Sequence, residues 1–431
     1  MSLAVVVLVL AFVTLLIMNV PVAFCMGIAT VLAFLFMQAP AAVATAHNIA
    51  SGIDSFTLLA IPFFILSGLL MGHGGIARRL IDFANVLVGR FKGGLAMVNI
   101  LTCMFFGAIS GSAAAAVSSV GGFMIPMMNK HGYDRDFNTS VTVTAATTGL
   151  LIPPSNVMIV YSLATGGAVS IAGMFIAGIL PGVLVGIGLM VVSLYFSIKN
   201  NYGEGERASA GEAVMKFFQA IPALLLIIIV MGGILAGWFT ATEASAVAVA
   251  WSFLLAVVFY REVKITELPS LMLKCGVMTS VVFLLIGTSM AMSWVLAAEN
   301  VPQNISAALV SLTDNKYILL LLINMILLAV GTFMDMTPAV LIFTPIFLPI
   351  VRNLGIHPLH FGIILIMNLC IGLCTPPVGT CLFLGCGIGE TTVANVMRKI
   401  IPFFIAMVIT LLLCTYISWI TLFLPGISGF I

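Results

Sequence analysis

Charged residues are scarce in this sequence. Only 7% of its 431 residues are Asp, Glu, Lys or Arg, whereas 62% are hydrophobic. Soluble domains contain about 25% charged residues, so this composition could not cover a water-exposed surface. Apolar stretches of about 20 residues, the length that a helix needs to cross a bilayer, recur along the chain. The sequence therefore predicts an all-α polytopic membrane protein.

Several functional signatures are missing as well. The net charge is only +2 and no basic stripe alternates with aromatic residues, which argues against nucleic-acid binding. The eight cysteines form no Cys-x-x-Cys pair and nearly all lie in apolar runs, so we expect buried side chains rather than disulfides or metal ligands. No Gly-x-x-x-x-Gly-Lys-Ser/Thr loop for ATP occurs, and we expect no cofactor.

A membrane enzyme is the alternative from a different functional class. Ser110 stands in a Gly-x-x-Ser-Gly sequence that superficially suggests a nucleophile. However, no base lies within an apolar segment to activate it, and neither Gly-x-Gly-Asp nor His-Glu-x-x-His occurs. The sequence therefore predicts no enzymatic activity.

The start of the chain is itself apolar. Lys and Arg are absent from residues 2–20, whereas a cleavable signal peptide begins with basic residues. A second apolar run follows directly after Pro21. We therefore expect residues 3–19 and 22–37 to remain in the membrane as a helical hairpin.

Ten further apolar segments follow, roughly 56–72, 94–128, 138–164, 168–198, 219–237, 241–260, 274–298, 317–350, 360–388 and 401–424. Segments 94–128 and 317–350 are each about 35 residues long, or about 52 Å as helix, against a hydrocarbon core of about 30 Å. Small and turn-forming residues interrupt each near its middle, around Gly111 and around Asp335. We predict two re-entrant hairpins; two short spans or one strongly tilted span are the alternatives.

Two other segments carry tandem prolines, Pro153-Pro154 and Pro376-Pro377. Tandem prolines remove two amide donors and push the preceding residue out of the helical conformation. Such a break is tolerable in a membrane where it lines a protein or water-filled cavity. We predict two broken helices, with a simple kink as the alternative.

These features recur at a constant spacing. Pro126 and Pro349 are 223 residues apart, as are the tandem prolines and the pair Gly132 and Gly355. An internal duplication of this kind is typical of secondary transporters. Four spans separate the first broken helix from the second hairpin, so the broken helices should run in opposite directions. The sequence therefore predicts about ten spans and two re-entrant hairpins in inverted repeats.

The basic residues support this topology. With re-entrant hairpins, 14 of the 16 Lys and Arg residues fall on one side of the membrane, and only Lys316 and Arg352 fall on the other. The positive-inside rule makes the first side cytoplasmic and places both termini outside. Counting each hairpin as one crossing scatters the basic residues over both sides.

The predicted regions are an N-terminal hairpin (1–53), repeat 1 (54–200) with hairpin 94–128 and broken helix 138–164, a cytoplasmic loop with further helices (201–262), and repeat 2 (263–425) with hairpin 317–350 and broken helix 360–388. We also expect an amphipathic surface helix within 73–93 and its counterpart within 261–272.

The hairpin tips and helix breaks should meet at mid-membrane. Each supplies a helix amino terminus, whose free amides and positive dipole end favour a carboxylate. No Lys or Arg lies deep in any span, so helix ends must hold an anion. The candidate substrate-binding residues are Ser110, Ser112, Ser155, Asn156, Thr337 and Pro377.

The same breaks leave carbonyl groups without helical partners. Together with hydroxyl and carboxylate oxygens they are suitable ligands for sodium, one site per repeat. The candidate sodium ligands are Ser110, Gly149, Ile152, Pro153, Gly331, Asp335, Gly372, Thr375 and Thr380. No chain of intramembrane acids suggests a proton relay. For the small residues that begin at Ser110, close helix packing is the alternative reading.

Two acidic residues stand out. Asp335 lies deep in an apolar stretch, where a carboxylate is costly, so we expect it to bind the cation or to organise the hairpin tip. A locally capped structural Asp is the alternative. Glu243 begins a span near the outer interface, where helix capping and an ion-linked or partner-contact role are both compatible with the pattern.

Five short motifs in this order resemble the large membrane subunit of tripartite ATP-independent periplasmic (TRAP) transporters. The similarity covers essentially the full chain. The motifs are Gly107-Ala-Ile-Ser110-Gly-Ser112, Ile152-Pro-Pro-Ser155, Thr240-Ala-Thr-Glu243, Gly331-x-x-x-Asp335 and Thr375-Pro-Pro-x-Gly379.

The resemblance implies the fold of the ion-transporter superfamily, with a mobile transport domain and a fixed scaffold that includes residues 1–53. It implies elevator-type, sodium-coupled uptake of a small organic acid (a C4-dicarboxylate, sialic acid or another sugar acid) across the bacterial inner membrane. The implied partners are a periplasmic substrate-binding protein, a small four-helix membrane subunit and membrane lipid. A stand-alone dicarboxylate symporter or ion antiporter of the same superfamily is the alternative.

Overall fold

The computed structural model describes residues 2–18, 20–37, 41–203, 210–313 and 315–431. Within these ranges the chain folds into 20 α-helices, joined by short 3-10 and π segments, with no strand. The all-α prediction is confirmed for the described part of the chain. The centre of the predicted cytoplasmic loop, residues 204–209, lies outside the described residues.

The helices of the first half follow one another with short connections. They are α1 (Leu3–Ile17), α2 (Val22–Phe36), α3 (Ala41–Ile53), α4 (Ala60–His73), α5 (Ile76–Val88), α6 (Gly94–Ser110), α7 (Ala113–Lys130), α8 (Arg135–Thr148), α9 (Asn156–Ala164) and α10 (Ile171–Lys199).

The second half contains ten more helices. They are α11 (Ala210–Leu235), α12 (Ala241–Phe253), α13 (Leu268–Ala298), α14 (Val301–Leu312), α15 (Lys316–Phe333), α16 (Met336–Asn353), α17 (Pro358–Gly372), α18 (Thr380–Ile388), α19 (Val393–Tyr416) and α20 (Ser418–Ile427).

Eight helical segments of the described chain are long and apolar enough to cross a membrane. They include α10, α13 and both arms of the second predicted hairpin, α15 and α16. The polytopic membrane class is therefore confirmed, whereas the count of about ten spans stays a prediction.

Local chemistry explains the turns inside the two hairpins. Gly111 ends α6 in the left-handed region, with φ of 61°. Ser112 then adopts an extended conformation and accepts the Ala115 amide on its hydroxyl at 3.3 Å, which caps α7. In the second hairpin Met334 and Asp335 are both extended, between α15 and α16. Each segment of about 35 residues is thus two helices joined by a two-residue tip.

The tandem prolines coincide with two helix breaks. The first break separates α8 from α9, and the second separates α17 from α18. The Pro153-Pro154 and Pro376-Pro377 peptide bonds are both cis. Proline cannot donate a helical hydrogen bond, so the chain leaves the helix before each pair.

Each hairpin packs against the break of its neighbouring broken helix. A Cβ on Gly107 of α6 would lie 2.5 Å from the Cα of Gly149, and a Cβ on Gly372 would lie 2.5 Å from the Cα of Gly331 of α15. A side chain at Gly107, Gly149 or Gly372 would overlap the facing backbone. These contacts hold both hairpin tips at the level of the breaks.

The two broken helices run antiparallel. At one end, the Tyr161 hydroxyl of α9 donates to the Pro358 carbonyl at the start of α17 at 2.7 Å. At the other end, the Thr391 hydroxyl just beyond α18 donates to the Asp136 carboxylate in α8. Lys399 also lies 3.6 Å from the Asp134 carboxylate. Inverted repeats require this relative direction; their orientation in a membrane stays a prediction.

Helix positions repeat with the spacing seen in the sequence. Helix α7 begins at Ala113 and α16 begins at Met336, 223 residues later. A helix is present within 73–93 as α5, and its position at the membrane surface stays a prediction. The prediction of a counterpart helix within 261–272 is wrong, because that stretch holds only a 3-10 turn at Ile265–Glu267 before α13 begins. Helix α14 lies instead at about the matching position.

Some elements had no clear sequence signal. Helix α3 follows the predicted N-terminal hairpin, and the predicted segment 401–424 is divided between α19 and α20 at Ile417. Helix α13 packs against α2, α3, α4 and α16, so it joins the N-terminal helices to the second hairpin.

Candidate functional site

The two hairpin tips and the two helix breaks surround one cavity of about 440 Å³. The first tip contributes Gly111 and Ser112, and the second contributes Asp335 and Thr337. The first turns of α9 and α18 and one side of α4 and α13 complete the lining. The cavity is therefore built by elements from both halves of the chain.

Five of the residues predicted from the sequence come together here. They are the polar residues of the lining, namely Ser112, Asn156, Asp335, Thr337 and Thr380. Four of them begin or precede a helix, so free backbone amides accompany their side chains. A carboxylate in this cavity would meet several helix amino termini.

Ser110 lies just behind the first tip. It is 4% exposed, and its hydroxyl lies 3.4 Å from both the amide and the carbonyl of Ser112. The Ser112 hydroxyl already caps α7. Ser110 therefore supports the tip and does not line the cavity.

Ser155 and Asn156 occupy the start of α9. The Ser155 hydroxyl and the Asn156 side-chain oxygen are buried, and neither has a hydrogen-bond partner among the described residues. A Cβ on Gly111 would lie 3.2 Å from the side-chain amide nitrogen of Asn156, so Asn156 contacts the first tip. Buried polar atoms without partners are rare in proteins and indicate a place where an ion, water or ligand belongs.

The backbone of the first break offers free carbonyl groups. No hydrogen bond within the described residues ends on the carbonyl oxygens of Gly149, Ile152 or Pro153. The contact of Gly149 with Gly107 brings this break within one helical turn of Ser110. The contact therefore places Ser110 and Gly149, two of the predicted sodium ligands, close together.

The second break is more fully hydrogen-bonded. The Gly372 carbonyl accepts the Thr375 amide at 2.9 Å, and the Thr375 hydroxyl donates to Ile371 at 2.8 Å. The Val378 amide donates to the Thr332 carbonyl at 3.1 Å, which ties the break to the second tip. Gly331 and Gly372 are in backbone contact, so these two predicted sodium ligands lie together.

Asp335 and Pro377 differ in their surroundings. Asp335 stands at the N-cap position of α16 but makes no side-chain capping hydrogen bond, and its exposed side chain lines the cavity. The Met336 backbone amide interacts with its carboxylate, and the carboxylate oxygens keep further lone pairs for a ligand. Pro377 is exposed but does not contribute to the cavity lining.

Glu243 lies away from the cavity, at the start of α12. Its carboxylate accepts the backbone amide and the hydroxyl of Thr240, both at 2.8 Å, while its own amide donates to the Thr240 hydroxyl at 3.3 Å. This reciprocal pair is a capping box. The capping interpretation of Glu243 thus has a direct geometric basis.

Sequence reasoning missed the apolar side of the cavity. Ile61 and Ile65 of α4 and Val277 and Val281 of α13 line it, each pair four residues apart. In a chain that is apolar almost everywhere, no periodic signal distinguishes residues that face a cavity from those that face lipid.

The donor groups around the cavity suit a hard cation. The described residues contain no group of three or more His, Cys, Asp or Glu side chains placed to hold a metal ion. No Lys, Arg or His is among the residues that line the cavity. The site offers hydroxyl, carbonyl and carboxylate oxygens, which are ligands for ions such as sodium.

Comparison with known proteins identifies the family. The model of the family described as "Tripartite ATP-independent periplasmic transporter, DctM component" matches residues 9–420. The chain is 48% identical to protein YgiK of Salmonella typhimurium over 96% of this chain and 95% of that protein. It is 41% identical to the C4-dicarboxylate TRAP transporter large permease protein DctM of Pseudomonas aeruginosa, over 87% of this chain and 88% of that protein.

A solved structure shares the fold. The YdaH transporter of Alcanivorax borkumensis aligns with a TM-score of 0.65 at 15% identity, covering 90% of this chain and 87% of that chain. At this identity the likeness concerns the fold alone.

Proposed function

Because this chain belongs to the DctM component family of TRAP transporters, we propose that it is the permease subunit of a sodium-coupled secondary transporter that imports a small organic acid. A periplasmic binding protein delivers the acid, and an elevator movement carries it across the bacterial inner membrane. The observation that carries the proposal is the cavity in which two hairpin tips and two helix breaks meet.

The cavity supports binding of an anion without a basic side chain. The starts of α7, α9, α16 and α18 face it or lie next to it, and each presents unpaired amides and the positive end of a helix dipole. Transporter sites at discontinuous helices commonly hold substrate carboxylates in this manner.

Two sets of oxygen atoms support two sodium sites. In the first half the set comprises Ser110, Gly149, Ile152 and Pro153, next to the unpartnered Ser155 hydroxyl. In the second half it comprises Gly331, Asp335, Gly372, Thr375 and Thr380. Sodium in both sets would join each hairpin to its broken helix, so substrate and sodium would organise the same tips.

The proposed moving part comprises the hairpins and the broken helices, α6–α9 and α15–α18. Backbone contact between Gly107 and Gly149, and between Gly331 and Gly372, makes each hairpin and its broken helix one packed unit. Helices α1–α3 and α11–α13 form the proposed scaffold, with residues 1–53 at its start. Exposed apolar side chains on these helices supply a surface for a small four-helix membrane subunit and for lipid.

The organic acid is proposed from the relatives. The Pseudomonas relative is named for C4-dicarboxylates, and dicarboxylates and sugar acids are the classes that we would test first. Both termini are proposed to face the periplasm, which follows from the distribution of Lys and Arg.

The deciding experiment is uptake of radiolabelled organic acids into proteoliposomes that contain this chain, its small membrane subunit and its binding protein. We expect accumulation only with an inward sodium gradient and with the binding protein present. Accumulation without the binding protein would favour a stand-alone symporter of the same superfamily. Accumulation that does not depend on sodium would contradict both proposed cation sites.

A further inference from the structure

One side of the cavity is a wall of branched aliphatic side chains. It consists of Ile61 and Ile65 from α4 and Val277 and Val281 from α13, and we call it the aliphatic wall. The spacing of four residues places each pair on a single helical stripe. Val277 and Val281 are 56% and 53% exposed, whereas Ile61 and Ile65 are buried. A molecule held in the cavity would therefore touch this wall through Val277 and Val281.

The polar groups of the cavity come from other elements. Asn156, Asp335 and Thr380 stand at the starts of α9, α16 and α18, and Ser112 and Thr337 lie at the hairpin tips. Helices α4 and α13 contribute only apolar residues to the lining. All five polar side chains of the lining therefore come from the tips and helix starts, which also contribute apolar residues such as Val157 and Met336, and none comes from the two continuous helices.

This division has a consequence for the body of a bound acid. A hydroxyl group that faces the aliphatic wall loses its hydrogen bonds to water and finds no replacement. A methylene group in the same place is favoured, because it removes apolar surface from water. The wall thus discriminates between acids with the same carbon skeleton.

We propose that the aliphatic wall determines which acids bind, and that the acid presents an unhydroxylated hydrocarbon body to Val277 and Val281. The inference rests on the proposed transport of an organic acid and specifies its body. The carboxylate faces the helix starts, where the amides and the cations lie. Hydroxylated acids of the same skeleton are rejected.

A sliding surface is the other role that an aliphatic face can have in a moving protein. The two roles differ in what a hydroxyl placed on the wall changes. For a selectivity surface it changes the ratio of affinities for hydroxylated and unhydroxylated acids. For a sliding surface it changes the transport rate and leaves that ratio constant.

Binding can be followed through a cysteine introduced into the cavity. Ala114 lines the cavity and is exposed, while all eight native cysteines are buried, so Ala114→Cys supplies a reporter over a low background. The rate of maleimide labelling of the full chain in membranes, with sodium, is measured against acid concentration. Two matched pairs are used: succinate with tartrate, and hexanoate with gluconate.

For the pair of acids that slows labelling of the introduced cysteine, we expect the unhydroxylated acid to act at a concentration lower by about ten-fold or more. The double variant Val277→Thr, Val281→Thr keeps the side-chain shape and adds hydroxyls to the wall. It should lower that ratio several-fold. Val191→Thr is the matched control, since Val191 is 61% exposed on α10 and does not line the cavity.

The outcomes separate this inference from the proposed function. Equal or better protection by tartrate or gluconate overturns the selectivity of the wall and leaves acid binding intact. The inference is also overturned if the double variant has the wild-type unfolding temperature and leaves the ratio of protecting concentrations unchanged. The wall would then be a sliding surface. Failure of every acid to protect, with or without sodium, overturns this inference, and uptake in the presence of the binding protein then decides the proposed function separately.

Discussion

Gly107 and Gly149 are in direct backbone contact: a Cβ on Gly107 would lie 2.5 Å from the Cα of Gly149. Gly331 and Gly372 form the corresponding contact in the second half. In each half the first arm of a hairpin therefore crosses a broken helix where that helix is interrupted. The contact fixes the depth of the tip and brings the tip next to the backbone of the break.

Replacing Gly149 by Ala should destabilise the protein by about 1–3 kcal/mol, the usual cost of overpacking, because the new methyl group meets the backbone of α6. Gly149 has φ of −65°, so steric overlap and not backbone conformation is the cause. Thermal unfolding of the purified protein measures the change. Gly122→Ala in α7 is the control, since nothing lies within 4 Å of its Cβ position. An equal effect of both substitutions would contradict the contact.

Asp335→Asn should weaken sodium binding without lowering the stability of the sodium-free protein. Asparagine keeps a side-chain oxygen that can accept the Met336 amide as the carboxylate does, so we expect the unfolding temperature without sodium to stay close to wild type. The half-saturating sodium concentration should rise at least about ten-fold, since loss of a direct ligand exceeds the effect of losing an indirect one. Stabilisation of the protein by added sodium measures the affinity.

If Asp335→Asn lowers the stability of the sodium-free protein and leaves the stabilisation by sodium unchanged, Asp335 has a structural role. Ser112→Ala is the comparison, because it removes a capping hydrogen bond at the other tip and should cost about 1 kcal/mol.

Ser155→Ala removes a buried hydroxyl that has no partner among the described residues. Because no hydrogen bond is lost, we expect the free energy of unfolding without sodium to remain constant or to increase by up to about 1 kcal/mol. If the hydroxyl binds the first cation, the stabilisation by sodium should decrease at the same time. Loss of stability in the absence of sodium would show instead that the hydroxyl has a structural partner.

The sequence was most informative where backbone chemistry decides the structure. Single prolines such as Pro126 and Pro181 lie inside helices of this chain, whereas the tandem prolines and the turn-forming residues around Gly111 end helices, so these clusters predicted the breaks and a hairpin tip. Residues that begin a helix next to such a break, including Asn156 and Thr380, could be placed in one site for the same reason.

Packing contacts were not visible in the sequence, because nearly all of it is apolar. The aliphatic wall of Val277 and Val281 looks like any lipid-facing stripe until α4 and α13 are placed next to the tips. The misplaced counterpart of α5 has a related cause. The stretch before α13 contains charged residues as α5 does, and this polarity favours it as the counterpart of α5. The spacing of 223 residues indicates α14 instead.

Glu243→Gln tests the capping assignment. The Glu243 carboxylate accepts two hydrogen bonds from Thr240, so the substitution should weaken the capping box and slightly lower the unfolding temperature. Thr240→Ala breaks the same capping box and should have a similar effect. Sodium affinity should stay constant in both variants, and a change confined to Glu243→Gln would point to an ion-linked or partner role.

The predicted topology can be tested at the bases of the two hairpins. Lys92 precedes α6 and Arg352 lies at the end of α16, and both are exposed. If the repeats are inverted, the hairpins enter from opposite faces. An impermeant maleimide should then label Arg352→Cys in cells with a permeable outer membrane, and should label Lys92→Cys only after the inner membrane is opened.

The wild-type chain is the control for this labelling, because its eight cysteines are buried. Labelling of both variants from the same face would mean that both hairpins enter from one side, and the antiparallel broken helices would then need a different path through the membrane. Labelling of Lys92→Cys alone would reverse the orientation and contradict the positive-inside assignment while leaving the inversion intact. The two positions together therefore test inversion and orientation as separate properties.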